Sequence, residues 1–283
     1  MLKRIYPVIL TLLLIYFSFY YTNKVVGLIK SKDPIMVKIE KEKSNYEVKA
    51  VNAKVDSKNV IPGKNGKVVN ESESFKKMKS YGEYNEELYV FDEVEPTVSM
   101  DDYYDKYINF GRNDSNKVSL VFKIEKNDSM DYALNILKDN NATATFFIDG
   151  IFLKNNKDII SKAIKNGNEI EVLSYDESYD KLYFEDSLHK LFDLTKNEPK
   201  FCYADYDRKE VLLLCDRLGL HTIIPTINTS INSFSLIKDK LQSGSIISLK
   251  ANAGNLNTIV NYIKQRGYNL VNLKNLLLEQ LEK

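Results

Sequence analysis

The chain has 283 residues, of which 43% are hydrophobic and 28% charged, a composition typical of a folded protein and not of a disordered one. Its 40 basic and 39 acidic residues leave a net charge of +1, which gives no general electrostatic case for nucleic-acid binding. Only two His and two Cys are present, which excludes a His-rich metal site, a four-Cys zinc site and a disulfide framework.

The N-terminus carries a candidate membrane segment. Lys3 and Arg4 precede an uncharged, mostly apolar run over residues 5–23. As a helix rising about 1.5 Å per residue, this run approaches the roughly 30 Å thickness of the hydrocarbon core of a membrane. A cleaved signal peptide is the alternative, but the run ends in tyrosines and has no small-residue cleavage site. We therefore expect residues 1–23 to be an uncleaved signal anchor, a single-pass transmembrane helix that leaves the bulk of the chain extracytoplasmic.

Residues 24–116 are less regular than the rest. The alternation of apolar and polar residues over Asp33–Glu40 predicts a strand. The Pro-Gly and Asn-Gly pairs within Val60–Val69 stand between apolar residues and predict a tight turn or hairpin. We expect this region to be an extracytoplasmic stalk or a small mixed α/β module.

The two cysteines lie close together in the sequence, with Cys202 in a predicted strand and Cys215 in a predicted helix. Outside the cytoplasm they could pair. Buried free thiols are the default for cysteine, so the residues favour two separate thiols, while pairing stays open.

Residues 117–283 alternate seven apolar strands with seven helices. The predicted strands are Val118–Ile124, Thr143–Ile148, Glu169–Leu173, Lys200–Ala204, His221–Pro225, Ser245–Leu249 and Tyr268–Val271. Strands that are apolar on both faces are typical of parallel strands covered by helices. The pattern predicts a barrel-like or doubly wound α/β domain, whose site should lie at the C-terminal ends of its strands.

Five segments of this domain carry a family resemblance. They are LKDNNATATFFIDG (Leu137–Gly150), IISKAIKNGNEIEVLSYDES (Ile159–Ser178), NEPKFCYADYDRKEVLLLCDRLGLHTI (Asn197–Ile223), SGSIISLKA (Ser243–Ala251) and QRGYNLVNLKNLL (Gln265–Leu277). In this order and spacing they resemble the polysaccharide deacetylase family, the NodB-homology domain or carbohydrate esterase family 4, over about Lys117–Leu281. The resemblance implies a NodB-like distorted (β/α)7 barrel and the hydrolysis of N-acetyl groups on chitin-like or peptidoglycan sugars.

The family's chemistry depends on residues that are missing here. The resemblance implies a base Asp, a metal-binding Asp, two metal-binding His, an orienting Arg and an acid His. The matching positions hold, in that order, Lys123, Ile124, Leu173, Glu177, Cys202 and Lys250. Because only Glu177 can bind a metal, and then weakly, we expect a pseudoenzyme without a metal or other cofactor. A working metal-dependent N-deacetylase with an atypical site is the alternative.

Acidic and tyrosine side chains follow several of the predicted strands. The candidate binding residues are Glu125, Tyr175, Asp176, Glu177, Tyr203 and Asp205. Tyrosine rings stack on sugar faces and carboxylates accept hydroxyl protons, which is typical of sugar sites. The acids could instead form a solvated rim or bind Ca²⁺, and the tyrosines could fill a degenerate cleft. We expect non-catalytic binding of cell-wall glycan or of a protein partner, and a purely structural module is a third reading.

Overall fold

In a computed structural model of the chain, the structure describes residues 2–173, 179–229, 231 and 233–281. The chain divides into two compact units, one of Met1–Ala50 with Asn65–Val94 and the other of Val51–Lys64 with Glu95–Lys283. The assignment of separate roles to residues 1–23, 24–116 and 117–283 stays a prediction.

Helices and strands account for most of the described chain. The helices are α1 Leu2–Ser31, α2 Pro34–Glu42, α3 Glu71–Tyr81, α4 Asp131–Asp139, α5 Gly150–Asn155, α6 Lys157–Lys165, α7 Lys181–Thr195, α8 Lys209–Arg217, α9 Phe234–Lys240, α10 Leu256–Gln265 and α11 Leu273–Leu276. The strands are β1 Lys54–Val55, β2 Val60–Ile61, β3 Gly66–Val69, β4 Phe91–Val94, β5 Tyr107–Ile108, β6 Lys117–Ile124, β7 Thr145–Ile148, β8 Glu169–Val172, β9 Phe201–Tyr203, β10 His221–Ile223, β11 Ile227–Asn228, β12 Ile246–Leu249 and β13 Asn269–Val271.

The strand predicted over Asp33–Glu40 is wrong, because these residues form α2. The Asp33 side chain caps the helix by accepting a hydrogen bond from the backbone N–H of Ile35 at 3.0 Å, and Pro34 occupies the first turn. Ile35 and Ile39 are both buried, and residues four apart share one face of a helix. Their spacing is compatible with a strand or a helix, and the Asp-Pro cap decides between them.

The hairpin predicted over Val60–Val69 is also wrong. Its first apolar pair, Val60–Ile61, is antiparallel to Lys54–Val55, and its second lies in β3, which is antiparallel to Phe91–Val94. The two apolar pairs therefore have different strand partners and lie in different units of the chain.

Helix α1 continues past the end of the predicted membrane segment, to Ser31. The described side chains over residues 11–22 are exposed, and most of them are apolar. Within the described residues, no helix combines the length and the apolar character needed to cross a membrane. The transmembrane helix predicted over residues 1–23 is thus without structural support.

The larger unit confirms the predicted α/β fold with parallel strands. Strand β6 pairs in parallel with β12 and β7, β13 pairs with its first residues, and β8 and β11 extend the sheet at either edge. A second parallel sheet has the order β5-β10-β9. The described residues from Lys117 onward contain eight strands where the sequence predicts seven, because the short strand β11 precedes α9.

The two faces of β6 pack into different cores. Leu120, Phe122 and Ile124 lie in a cluster that includes buried residues of the surrounding helices, and the Phe122 ring stacks on Phe146 at a centroid distance of 5.0 Å. Val121 faces a second cluster, formed mainly by strand residues inside the barrel. Since side chains alternate along a strand, Lys123 is on the same side as Val121.

Cys202 and Cys215 form a disulfide, so the interpretation as two separate thiols is wrong. Strand β9 and helix α8 pack against each other, which brings the two Cα atoms to 6.3 Å, within the range that a disulfide spans. Both residues are fully buried in the cluster between sheet and helices. The bond fixes the strand that leads to the rim of the barrel to the helix that follows it.

Reducing this disulfide should lower the free energy of unfolding by about 2–3 kcal/mol, because the reduced unfolded chain regains the entropy of a loop of about 15 residues. Denaturant titrations of the oxidised and reduced protein measure the difference, with the Cys202→Ala/Cys215→Ala variant as the control that reductant should leave unchanged. Two thiols that react in denaturant without any reductant would contradict the bond.

Candidate functional site

A cavity of about 400 Å³ lies where the C-terminal ends of several strands meet. Its lining consists of Lys123, Tyr203, Asp205, Asn228, Thr229, Ser248, Leu249 and Lys250. These residues end or follow β6, β9, β11 and β12, so the cavity occupies the end of the barrel where such folds place their sites. All but one of the lining residues are polar or charged.

The carboxylate of Asp205 is the centre of a hydrogen-bond network in this cavity. Lys123 Nζ donates to its Oδ2 at 3.3 Å, and Asn228 Nδ2 donates to its Oδ1 at 3.1 Å. The Tyr203 hydroxyl donates to Oδ1 at 2.9 Å. Because a phenol has one proton to donate, the 2.8 Å contact between Tyr203 and Ser248 has the serine as donor.

This network fixes the charge states of Asp205 and Tyr203. Burial alone would raise the pKa of Asp205, but the Lys123 ammonium and the hydrogen bonds from Tyr203 and Asn228 outweigh it and hold the pKa below its ordinary value. Burial, together with the negative charge of Asp205, raises the pKa of Tyr203. At neutral pH the cavity therefore contains an ionised carboxylate, a lysine ammonium beside it and a protonated tyrosine.

Two of the three residues at the family's metal-ligand positions, Ile124 and Leu173, cannot bind a divalent cation. Ile124 and Leu173 are buried and apolar, and they pack in different clusters, Ile124 against the helices and Leu173 inside the barrel. The carboxylate of the cavity, Asp205, is already paired with Lys123. Across the described part of the chain, no three His, Cys, Asp or Glu residues lie together as a metal site requires.

The structure brings some of the predicted binding residues together and leaves others apart. Tyr203 and Asp205 share the cavity, whereas Glu125 is half exposed at its edge, 3.8 Å from Lys123 Nζ. Tyr175, Asp176 and Glu177 lie outside the described residues. Ligand binding by any of these residues stays a prediction.

The positions that replace the family's other catalytic groups have structural partners of their own. Cys202, in place of the orienting Arg, is in the disulfide, and Lys250, in place of the acid His, lines the cavity. His221, the buried histidine, packs at the opposite end of the barrel, with Nε2 at 2.8 Å from Asp101 Oδ1. His189 is exposed on α7.

Two cavity residues escaped the sequence reasoning. Ser248 and Thr229 line the cavity, but their short polar side chains carry no motif that distinguishes them from surface residues. Asn228, near which the resemblance places the Asp of the family's fourth motif, also lines the cavity. Ser248 could have been found from its place at the end of a predicted buried strand. Asn228 ends β11, a strand of two residues that is too short for a hydrophobic pattern.

Comparison with known proteins supports the resemblance drawn from the sequence. Residues 111–210 match the family model described as polysaccharide deacetylase. The chain is also 35% identical over 147 residues to YlxY of Bacillus subtilis (strain 168), a protein described as uncharacterized. That match covers 51% of this chain and 46% of the relative, so it spans less than half of the relative's length.

Solved structures support the same fold. The wild-type BA3943 protein of Bacillus anthracis, described as a CE4 family pseudoenzyme, superposes with a TM-score of 0.64 at 23% identity, covering 89% of this chain and 97% of that one. A family 4 carbohydrate esterase of the same organism matches with a TM-score of 0.51 at 19% identity, over 60% of this chain and 86% of that one. The larger unit therefore has a NodB-like α/β fold, and residues 111–210 resemble the polysaccharide deacetylase family.

Replacing Lys123 with Met should raise the pKa of Asp205, because burial then acts without the opposing ammonium. In the wild type, a lowered pKa stabilises the fold above the unfolded-state value of about 3.9, and that contribution is lost as the pH falls through the folded-state value. The free energy of unfolding of the variant should therefore fall less than that of the wild type as the pH is lowered. Denaturant titrations at a series of pH values from neutral to acidic measure this difference.

Lys138→Met is the matched control, because Lys138 is exposed on α4, away from the cavity. It should keep the wild-type pH dependence. An unchanged pH dependence in Lys123→Met would show that the ion pair does not set the charge of Asp205.

Proposed function

We propose that this protein binds glycan of the cell wall in the cavity at the strand ends and does not hydrolyse it. The observation that carries the proposal is the cavity itself, about 400 Å³ in volume and lined mostly by groups that donate or accept hydrogen bonds. Sites of this size with a few fixed polar groups are typical of small-ligand binding, and sugars present hydroxyl and amide groups that match them. The fold supports sugar as the ligand only by analogy.

The charges in the cavity support the absence of hydrolysis. Hydrolysis of an amide needs an activated water, a base to accept its proton and an acid for the leaving amine. Lys123 stands where the base would be, as an ammonium paired with Asp205. Tyr203 already donates its proton to the same carboxylate, and the raised pKa of its hydroxyl opposes ionisation.

The same network can hold a sugar. Asn228 and Lys250 carry donors at the edge of the cavity, and the ionised Asp205 is an acceptor for a hydroxyl group. Tyr206 is exposed just beyond Asp205, where its ring could lie against a pyranose face. A relative of this fold, BA3943, is described as a pseudoenzyme, which agrees with a domain that keeps its shape without the family's chemistry.

The full-length protein should be retained on purified peptidoglycan, and Asn228→Ala and Lys250→Ala should each weaken retention about fivefold, the effect of losing one hydrogen bond of roughly 1 kcal/mol. Co-sedimentation with a titrated amount of peptidoglycan measures the change. Asn197→Ala and Lys138→Ala are the matched controls, since both residues are exposed and lie outside the cavity lining.

Three outcomes would contradict the proposal. Equal retention of the cavity variants and the controls would exclude the cavity as the binding site, and no retention of the wild type would favour a protein partner. Release of acetate from N-acetylglucosamine oligomers in the presence of Zn²⁺, abolished by a chelator, would show a working deacetylase.

We further propose that residues 1–23 attach the chain to a membrane and that the remainder lies outside the cytoplasm. The apolar run after Lys3 and Arg4 supports this, as does the Cys202–Cys215 disulfide, because disulfides persist in oxidising compartments. Reporter fusions after Asn85 should be active only outside the cytoplasm, and extraction of the full chain should require detergent. A shortened form that is released without detergent would instead indicate a cleaved signal.

A further inference from the structure

A second pocket, of about 340 Å³, lies near the N-terminal ends of β6 and β12. It is lined by Val51, Asn52, Lys54, Ile61, Pro62, Lys64, Phe110, Gly111, Arg112, Asn113, Asp114, Gln242 and Ser243. The first six belong to the segment with the β1–β2 pair, and the others lie in the loops that lead into β6 and β12. All of them belong to the larger unit. Because Arg112–Asp114 precede β6 and Lys123 nearly ends it, this pocket and the cavity at the strand ends lie at opposite ends of that strand.

The walls of this second pocket are tied together. The Gly111 N–H donates to the Gly244 carbonyl at 2.8 Å, and Arg112 Nη1 donates to the Gly63 carbonyl at 3.3 Å. Gly244 has φ +83°, and a Cβ there would lie only 2.4 Å from the Gly111 oxygen, so the two loops touch through their backbones. The pocket therefore exists before any ligand binds, which reduces the entropy cost of binding.

The lining combines apolar walls with positive charge. The apolar surface comes from Val51, Ile61, Pro62 and Phe110. Val51 is half exposed although its side chain is apolar. Lys54, Lys64 and Arg112 supply three cations against the single carboxylate of Asp114, which Arg112 already binds with Nε at 2.9 Å.

Two of those cations are available to a ligand. Among the described residues, no carboxylate lies within ion-pair distance of Lys54 or Lys64. Burial lowers the pKa of Lys117, the first residue of β6, and the positive charge of Arg112 lowers it further. Ser243 adds a hydroxyl oxygen that is buried and has no hydrogen-bond partner in the protein.

We propose that this pocket binds a small organic anion that has an apolar body and a single carboxylate. The apolar walls would cover the body, and the two lysines would pair with the carboxylate as mobile point charges. A volume of about 340 Å³ is within the usual range for small-ligand sites, of roughly 300–1,000 Å³. The site is separate from the glycan cavity and does not depend on that proposal.

Calorimetric titration of the full-length protein with octanoate tests the site. Octan-1-ol, which keeps only the apolar body, and acetate, which keeps only the charge, are the control ligands. Octanoate should bind once per chain and at least about tenfold more tightly than either, because both halves of the pocket contribute. Equal binding of octan-1-ol and octanoate would overturn the proposal, as would no binding of octanoate.

Variants of the lining residues test whether octanoate binds in this pocket. Val51→Trp should fill the pocket and weaken octanoate binding about tenfold or more, whereas Val55→Trp, four residues further along in β1 and outside the lining, should not. The double variant Lys54→Gln/Lys64→Gln should weaken octanoate about fivefold or more and leave octan-1-ol unchanged, with Lys49→Gln as the exposed control. Wild-type affinity in both the Trp and the double Gln variants would place the ligand elsewhere and overturn the proposal.

Discussion

The larger unit depends on the pairing of strand β6 on both sides at once. Its last four residues pair with β7, its middle residues with β12 and its first three with β13, so three parallel connections converge on one strand. A strand in this position is covered on both faces and must be apolar on both. Lys117 and Lys123 are tolerated because they lie near its two ends and are only partly buried, and Lys123 lines the cavity.

The charge network in the cavity ties together side chains from three strand ends and holds two of them in fixed charge states. An acid and a base that are poised for proton transfer need matched pKa values and free access to the reacting atoms. Here Asp205 is held ionised by Lys123, and Tyr203 is held protonated by burial and by the charge of Asp205. The arrangement pairs Lys123 and Tyr203 with the same carboxylate, which favours a rigid lining over a reactive one.

Much of the fold could be predicted from the sequence, because buried parallel strands and amphipathic helices leave strong patterns. Strand β6, over Lys117–Ile124, lies where the apolar pattern of Val118–Ile124 places it. Helix α2 was missed because the spacing of Ile35 and Ile39 is ambiguous, although the preceding Asp-Pro pair carried the signal.

The candidate site was harder to predict, because its decisive contact joins residues far apart in the sequence. Lys123 and Asp205 are 82 positions apart, and no local pattern connects them, whereas the ion pair of Lys123 with Glu125, at 3.8 Å, joins residues only two positions apart. The disulfide was missed for a related reason. Whether a strand cysteine and a helix cysteine meet depends on how closely the two elements pack, which their separate patterns do not contain.

The disulfide closes a loop that contains part of the cavity lining. The residues between Cys202 and Cys215 include Tyr203 and Asp205 of the cavity and the exposed Tyr206, so this stretch of chain is a covalently closed ring. A protease that cuts the backbone once beside Tyr206 would leave two fragments joined through sulfur. Without reductant the two fragments would migrate together on a denaturing gel, and reductant would separate them. A molecule cut at this place would therefore be indistinguishable from an intact one on a gel run without reductant.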